Sequence, residues 1–280
     1  MRPVPYFNHA SSLTIQGHLR QNQDGLSRAL ARLASGRRVN TAADDAATVS
    51  MIDRIEARSR SYVVAGRNTA VALEMTETAE GGAGQIVDAL QRMREIAVEA
   101  GDGALTSTDR GQLDTEYQEL LDEIDRLAEV TTYNGRDLLA GASSTVDFQV
   151  GIDGTANDTI GVAFGGVSAS NLGVGTTSVT GSSSTNADAA LTAIDSALGE
   201  IGTTRAKFGA AMSRLGFALS NGDSMRTRLE GSLLALRDAD IAEETSLVAR
   251  YQVLLSAGAA ALASANGMNS RMVEILLGLK

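Results

Sequence analysis

Between Leu191 and Leu236 apolar side chains recur in alternating steps of three and four, at Leu191, Ile194, Leu198, Ile201, Phe208, Met212, Leu215, Leu219, Leu229, Leu233 and Leu236. That spacing predicts one helix with its apolar stripe on a single face, interrupted in register only by Arg205, Gly222 and Arg226. At ~1.5 Å rise per residue such a helix is roughly 70 Å long. A stripe so long and narrow has to be covered by other helices of similar length. The chain supplies them. A helical segment running to about Ala100 carries Ala72, Met75, Ala79, Gly82, Ile86, Leu90, Met93 and Ala97 on one face, with small residues in its first half that allow close approach. A third helix repeats the step through Leu113, Tyr117, Leu120, Ile124 and Leu127 and stops near Thr131.

The two ends read the same way. From Ser11 to Leu33 the positions Ile15, Leu19, Leu26, Leu30 and Leu33 share a face, and Gly36 with Arg37 and Arg38 supplies a helix C-terminus. Asn40 or Thr41 is then expected to cap a new helix with Asp44 and Asp45 in its first turn. After Asp240, which stands three residues before Glu243 as a capping box requires, the last seam runs through Leu247, Tyr251, Leu254, Gly258, Leu262, Ala265, Asn269, Met272, Leu276 and Leu279. In between, Asn134-Gly135 signals a turn. Val146, Phe148 and Val150, then Ile160, Val162 and Phe164, alternate with polar residues as the two arms of a β-hairpin. Gly165 to Ala187 is rich in Gly, Ser and Thr and uncharged, and is expected to be an exposed loop of low order, with no apolar anchor in residues 168–186. The fold class is therefore mainly α: a long antiparallel helical rod or coiled-coil bundle built by the N- and C-terminal halves, with a small β-hairpin.

Composition narrows the function by exclusion. Both prolines, Pro3 and Pro5, lie at the N-terminus, so no obligatory helix breaker follows. A net charge of −10 opposes binding to nucleic-acid phosphates. The absence of cysteine excludes disulfides and thiolate chemistry and suits an extracellular protein. The N-terminus lacks the apolar segment of a secretory signal. The apolar run Val253 to Ala263 is broken by Ser256 and Gly258 and is short of the ~20 residues a membrane span needs, so no membrane insertion is expected. His9 and His18 do not stand at metal-ligand spacing, and Lys207 and Lys280 do not follow glycine as in a phosphate-binding loop. Gly81-Gly82-Ala83-Gly84 sits inside a helical register and reads as a close helix contact or kink. No catalytic, cofactor or metal site is expected, and no enzyme.

Several blocks nevertheless form a distinctive ordered set. Residues 33–47, LASGRRVNTAADDAA, resemble the N-terminal signature of bacterial flagellins. Further family blocks follow in the family's order: QRMREIAV at 91–98, YNG at 133–135, FQVG at 148–151, RDADIAEE at 237–244 and AGAAALASAN at 257–266. The chain thus resembles a short flagellin lacking the outer variable domains. The resemblance implies a structural subunit of the flagellar filament, exported through the flagellar type III apparatus and self-assembling into a homo-polymer. Expected partners are filament cap and hook-junction proteins, an export chaperone on the C-terminal helix, and innate immune receptors. Residues 1–40 and 241–280 would form the inner filament core. Residues 41–187, containing the hairpin (about 145–164) and the loop 165–187, would form the surrounding rod with the helix 188–240. Arg2-Pro3-Val4-Pro5-Tyr6-Phe7, Arg37 and Asn269 depart from the family's usual residues.

Two sets of site residues follow. Assembly is expected to run through the terminal seams: Ile15, Leu19, Leu26, Leu30, Leu33, Leu247, Tyr251, Leu254, Leu262, Met272 and Leu276. The resemblance also implies immune-receptor recognition through Gln91, Arg92, Ile96 and Glu116. The competing readings are a hook–filament junction protein, which shares the terminal helices, and a secreted coiled-coil effector or adhesin.

Overall fold

The computed structural model describes residues 7–277, with side chains described from Ser12 to Arg271, Asn269 apart. Five helices dominate: α1 (Phe7–Ser35), α2 (Ala46–Ala100), α3 (Ser107–Val130), α4 (Thr185–Arg237) and α5 (Ile241–Leu277). Four short strands, β1 (Thr132–Tyr133), β2 (Arg136–Asp137), β3 (Ser144–Gln149) and β4 (Thr159–Phe164), and one 3-10 turn, Ala156–Asp158, complete the described elements. The chain forms two compact units, one of residues up to Ala57 with those from Leu229 onward, the other Arg58–Arg228.

In the unit Arg58–Arg228, α2 and α4 run antiparallel. Gly222 approaches Tyr62, Leu219 approaches Gly66, Arg205 pairs with Glu80 at 2.5 Å, and Asp195 pairs with Arg94 at 2.8 Å, so one number falls as the other rises. One of the register breaks in the α4 seam gains a reason here: Arg205 leaves the stripe to bind Glu80. The seams themselves are core: Met75, Ile86, Leu90 and Met93 of α2 bury with Ile194, Ile201, Phe208 and Leu215 of α4 and Tyr117, Leu121 and Ile124 of α3.

Local caps set the ends. Thr106 and Asp109 form a capping box at the start of α3. Buried Arg110 donates from Nε to the Ala100 carbonyl and from its Nη2 to the Asp102 carbonyl, both at 2.7 Å, closing the C-terminus of α2 with a positive charge. At Asn134 and Gly135 both φ angles are positive, 50° and 76°, as the tight turn between β1 and β2 demands. β3 and β4 pair antiparallel with Val146 opposite Val162 and Phe148 opposite Ile160. Phe164 is buried, with its ring 5.8 Å from Phe208 and 6.5 Å from Phe148, while Phe148 is only half-buried.

Two expectations are corrected. The segment after β4 is not an anchorless loop: Val167, Ala169, Leu172, Val174 and Val179 are buried in the same core. Polar groups of α3 satisfy its backbone. Asp125 accepts from the Ala169 N–H and Asp114 from the Val179 N–H, Gln118 donates to the Thr177 carbonyl, and the Tyr117 and Thr177 hydroxyls are 2.6 Å apart. Because this chain turns repeatedly, its anchors follow neither a period of two nor of 3.6. The glycine cluster at 81–84 does contain a close contact, at Gly82, but with Thr131 and Leu139 beyond the end of α3 and not with a helix: a Cβ there would meet Thr131 Oγ1 at 2.5 Å.

Candidate assembly surface

α1 and α5 form the core of the other unit as an antiparallel pair. Gly25 on α1 lies beneath the Tyr251 ring, and Gly258 on α5 lies beneath Leu19. A Cβ would stand 2.5 Å from Tyr251 Cζ in the first case and 2.8 Å from Leu19 Cδ2 in the second. Each helix therefore offers one gap and fills the other's. Farther along, Arg32 donates to Glu244 at 3.2 Å. The second oxygen of that buried carboxylate, Oε2, finds no partner among the described residues. The pair is closed by backbone: Gly36 turns with φ +67°, the Arg38 N–H donates to the Arg237 carbonyl at 2.7 Å, and the Ala239 N–H donates to the Gly36 carbonyl at 3.0 Å.

The signature segment 33–47 makes this closure and starts α2, by a route that corrects the expected cap. Asp44 accepts from the N–H groups of Asn40 and Thr41 and from the Thr41 hydroxyl, which folds the turn. Asp45 accepts from the Thr48 N–H and hydroxyl and is itself the cap of α2. The acidic pair thus precedes the helix and does not occupy its first turn, and neither Asn40 nor Thr41 caps it. The Thr41 amide holds the Asp44 carboxyl below its ordinary value, as the Thr48 hydroxyl does that of Asp45. At α5, Asp240 accepts from the N–H groups of Ala242 and Glu243.

The predicted assembly seam is only half covered. Ile15, Leu19, Leu26, Leu33, Leu247, Tyr251 and Leu262 are half-buried, while Leu30 is 45% and Leu254 38% exposed. Met272 and Leu276 lie outside the residues with described side chains. Among the described residues of α1 the buried apolar side chain is Ala29, not its larger neighbour Leu30, because the helices approach closely over small residues. Leu13, Ile241, Val253 and Met268 add further exposed apolar surface, each more than half exposed. Within α5, Ile241–Met268 is long and apolar enough, by length and composition alone, to cross a membrane. The expectation from the shorter run Val253–Ala263 is to that extent corrected, because Leu247, Val248 and Tyr251 before the run and Ala265 and Met268 after it lengthen the apolar stretch.

The second set of residues lies on the other unit. Arg92 bridges α2 and α3, with its Nη2 2.7 Å from Glu116 and its Nη1 2.9 Å from Glu95, and these bonds, Glu116 first, raise its pKa. Gln91 is exposed beside it. Ile96 is fully buried, so its side chain belongs to the core and not to the exposed patch. Glu95, which completes the ion-pair cluster, was not singled out by the sequence. Among the described residues no group of three or more His, Cys, Asp or Glu could hold a metal ion.

Comparison with known proteins gives a consistent result. Residues 8–144 match the family described as the bacterial flagellin N-terminal helical region, and residues 191–276 match the bacterial flagellin C-terminal helical region. A flagellin of Listeria innocua is 33% identical over 277 residues, covering 95% of this chain and 96% of that protein. Flagellin A of Vibrio anguillarum is 37% identical over 143 residues, 51% of this chain and 38% of that longer protein. Among solved structures, Bacillus cereus flagellin aligns with 31% identity and a TM-score of 0.48, covering 56% of this chain and 88% of that one.

Proposed function

Because the chain belongs to the bacterial flagellin family, whose members are structural subunits of the extracellular flagellar filament, we infer that it polymerises through the α1/α5 pair. The observation that carries this reading is the half-covered seam. Leu19, Leu26, Leu247 and Tyr251 meet one partner helix and still present apolar surface to water, with Leu30 and Leu254 beside them. An isolated helix pair is of marginal stability in water. Neighbouring copies that cover these stripes would stabilise it by ~25 cal/mol per Å² of apolar area. Ordering of the terminal helices is thereby coupled to assembly.

In this reading residues 1–40 and 241–280 form the inner part of the filament, and residues 41–240 surround it. The apolar length of α5 serves packing against α1 and further copies, not a membrane. The chain has no catalytic role. It leaves the cell by the flagellar type III route, is placed beneath a cap protein above the hook-junction proteins, and has its C-terminal helix shielded by an export chaperone beforehand. Seeded growth tests the reading. Purified chain added to sheared filament fragments should extend them into micrometre-scale fibres. A stable soluble species at high concentration would instead favour an effector or adhesin.

Receptor recognition is a secondary proposal, supported by the exposed Gln91–Arg92–Glu116 patch. Arg92→Ala should weaken receptor activation by monomer at least as much as it weakens polymerisation. Unchanged signalling from that variant, or none from the parent chain, would remove the proposal.

A further inference from the structure

One face of α4 carries two cations beside a groove. Between α4 and β4 lies a groove of about 260 Å³ floored by Val162, Ala210 and Ala211 and flanked by Lys207 and Arg214. Both cations are exposed, and neither makes an ion pair or side-chain hydrogen bond among the described residues. Asp147, on β3 opposite Gly161 of the groove wall, forms no ion pair with either. Lys207, Ala210, Arg214 and Phe217 follow one another at steps of three, four and three, so they share one helical stripe. Phe217, 77% exposed, ends it. An unpaired cation pair, an apolar floor and a bare aromatic ring on one stripe form a surface that leaves apolar area in water until something covers it.

The same unit carries a surface of matching spacing and opposite sign. On α3, Glu119, Asp122, Arg126 and Glu129 repeat the three, four, three step. Arg126 is held by Glu123 at 2.6 Å, whereas Glu119, Asp122 and Glu129 are exposed and unpaired among the described residues. Val130, 56% exposed, follows directly. Lys207 and Arg214 are separated by the same seven positions as Asp122 and Glu129, about 10 Å along a helix. Laid parallel, the two stripes set Lys207 against Asp122 and Arg214 against Glu129, with Phe217 beside Val130.

We propose that the α4 groove of one copy docks the α3 acidic stripe of the next, as a contact of the filament in addition to the terminal helices. It rests on the filament reading above. The two patches are different surfaces of the chain, so the contact is heterologous, the type that propagates as an open helical array when its rotation does not close a ring. Opposed charges set its register and speed encounter, while Phe217 and Val130 supply the dehydrated area.

Charge reversal tests it in the full-length chain. K207E/R214E and D122K/E129K should each slow elongation of seeds about tenfold or more, and the fourfold variant carrying both should grow on its own seeds to within about threefold of the native rate. Thermal melts of the monomers establish that each variant folds. Should reversal disturb folding, K207Q/R214Q replaces it: native elongation should slow with added salt, and the neutral variant should lose that dependence. Either reversal elongating at the native rate, a fourfold variant no faster than the slower pair, or a neutral variant with native salt dependence overturns the contact. So does an effect of the groove pair alone, which would mean another occupant. Failure of the native chain to elongate seeds would instead overturn the filament reading.

Discussion

Thr106 and Asp109 show how much of this chain is held by short side chains turned back on the backbone. The Thr106 hydroxyl donates to the Asp109 carboxylate and accepts from its N–H, while the Thr106 N–H donates to the same carboxylate at 2.9 Å. The Thr106 hydroxyl lowers the Asp109 pKa from 3.8, as the Thr41 amide lowers that of Asp44 and the Thr48 hydroxyl that of Asp45. A carboxylate with a lowered native pKa contributes stability that is fully present above its unfolded value and is lost as pH falls through the native one. The thermal midpoint should therefore hold steady on acidification until about pH 4 and fall below it. Asp109→Asn should fall less steeply over that window. An identical acid slope for native and variant chains would remove Asp109 from the account.

Among elements, the hairpin and the segment after it bear on α3 and α4 together. Phe164 is 1% exposed and packs on Phe208, so Phe164→Ala should destabilise the chain by ~3–5 kcal/mol in denaturant unfolding. Half-buried Phe148 should cost less on truncation. Leu172, 3% exposed in the segment after β4, should cost ~2–5 kcal/mol as Leu172→Ala, the magnitude of any core leucine. An insertion at exposed Ser183 should cost little, because no core side chain is displaced there. Equal tolerance at Leu172 and Ser183 would mean that the buried anchors of this segment contribute nothing.

At the scale of the whole molecule, the two compact units differ in what they bury. The unit Arg58–Arg228 contains the large fully buried side chains, Tyr117, Phe164, Phe208 and their aliphatic neighbours. The unit containing α1 and α5 buries chiefly small or single residues, Ala29, Val39 and Ile52. Removing residues 1–38 and 242–280 should accordingly leave a soluble fragment that unfolds cooperatively and cannot elongate seeds. Loss of cooperative unfolding in that fragment would place the terminal helices in the folding core, and continued elongation would make them dispensable for assembly.

The helices, their number and their length were legible in the sequence, because a seam such as Leu191 to Leu236 repeats a purely local period that needs no knowledge of its partner. The Asn134-Gly135 turn and the hairpin arms were legible for the same reason: positive φ and two-residue alternation are properties of the residues themselves. What the segment after β4 does could not be read, because its buried residues Val167, Leu172 and Val179 are spaced by turns and anchored by Asp114, Asp125 and Gln118 from a helix far away in sequence. The interlock of Gly25 with Tyr251 and of Gly258 with Leu19 likewise required two distant segments to be brought together. So did the burial of Ile96, which the motif around it placed on a surface, and the choice of Asp45 over Asn40 as the cap of α2. Period and turn chemistry are written along one segment. Close approach, burial and the final partner of a polar side chain depend on what a second segment places opposite, and only the tertiary structure decides that.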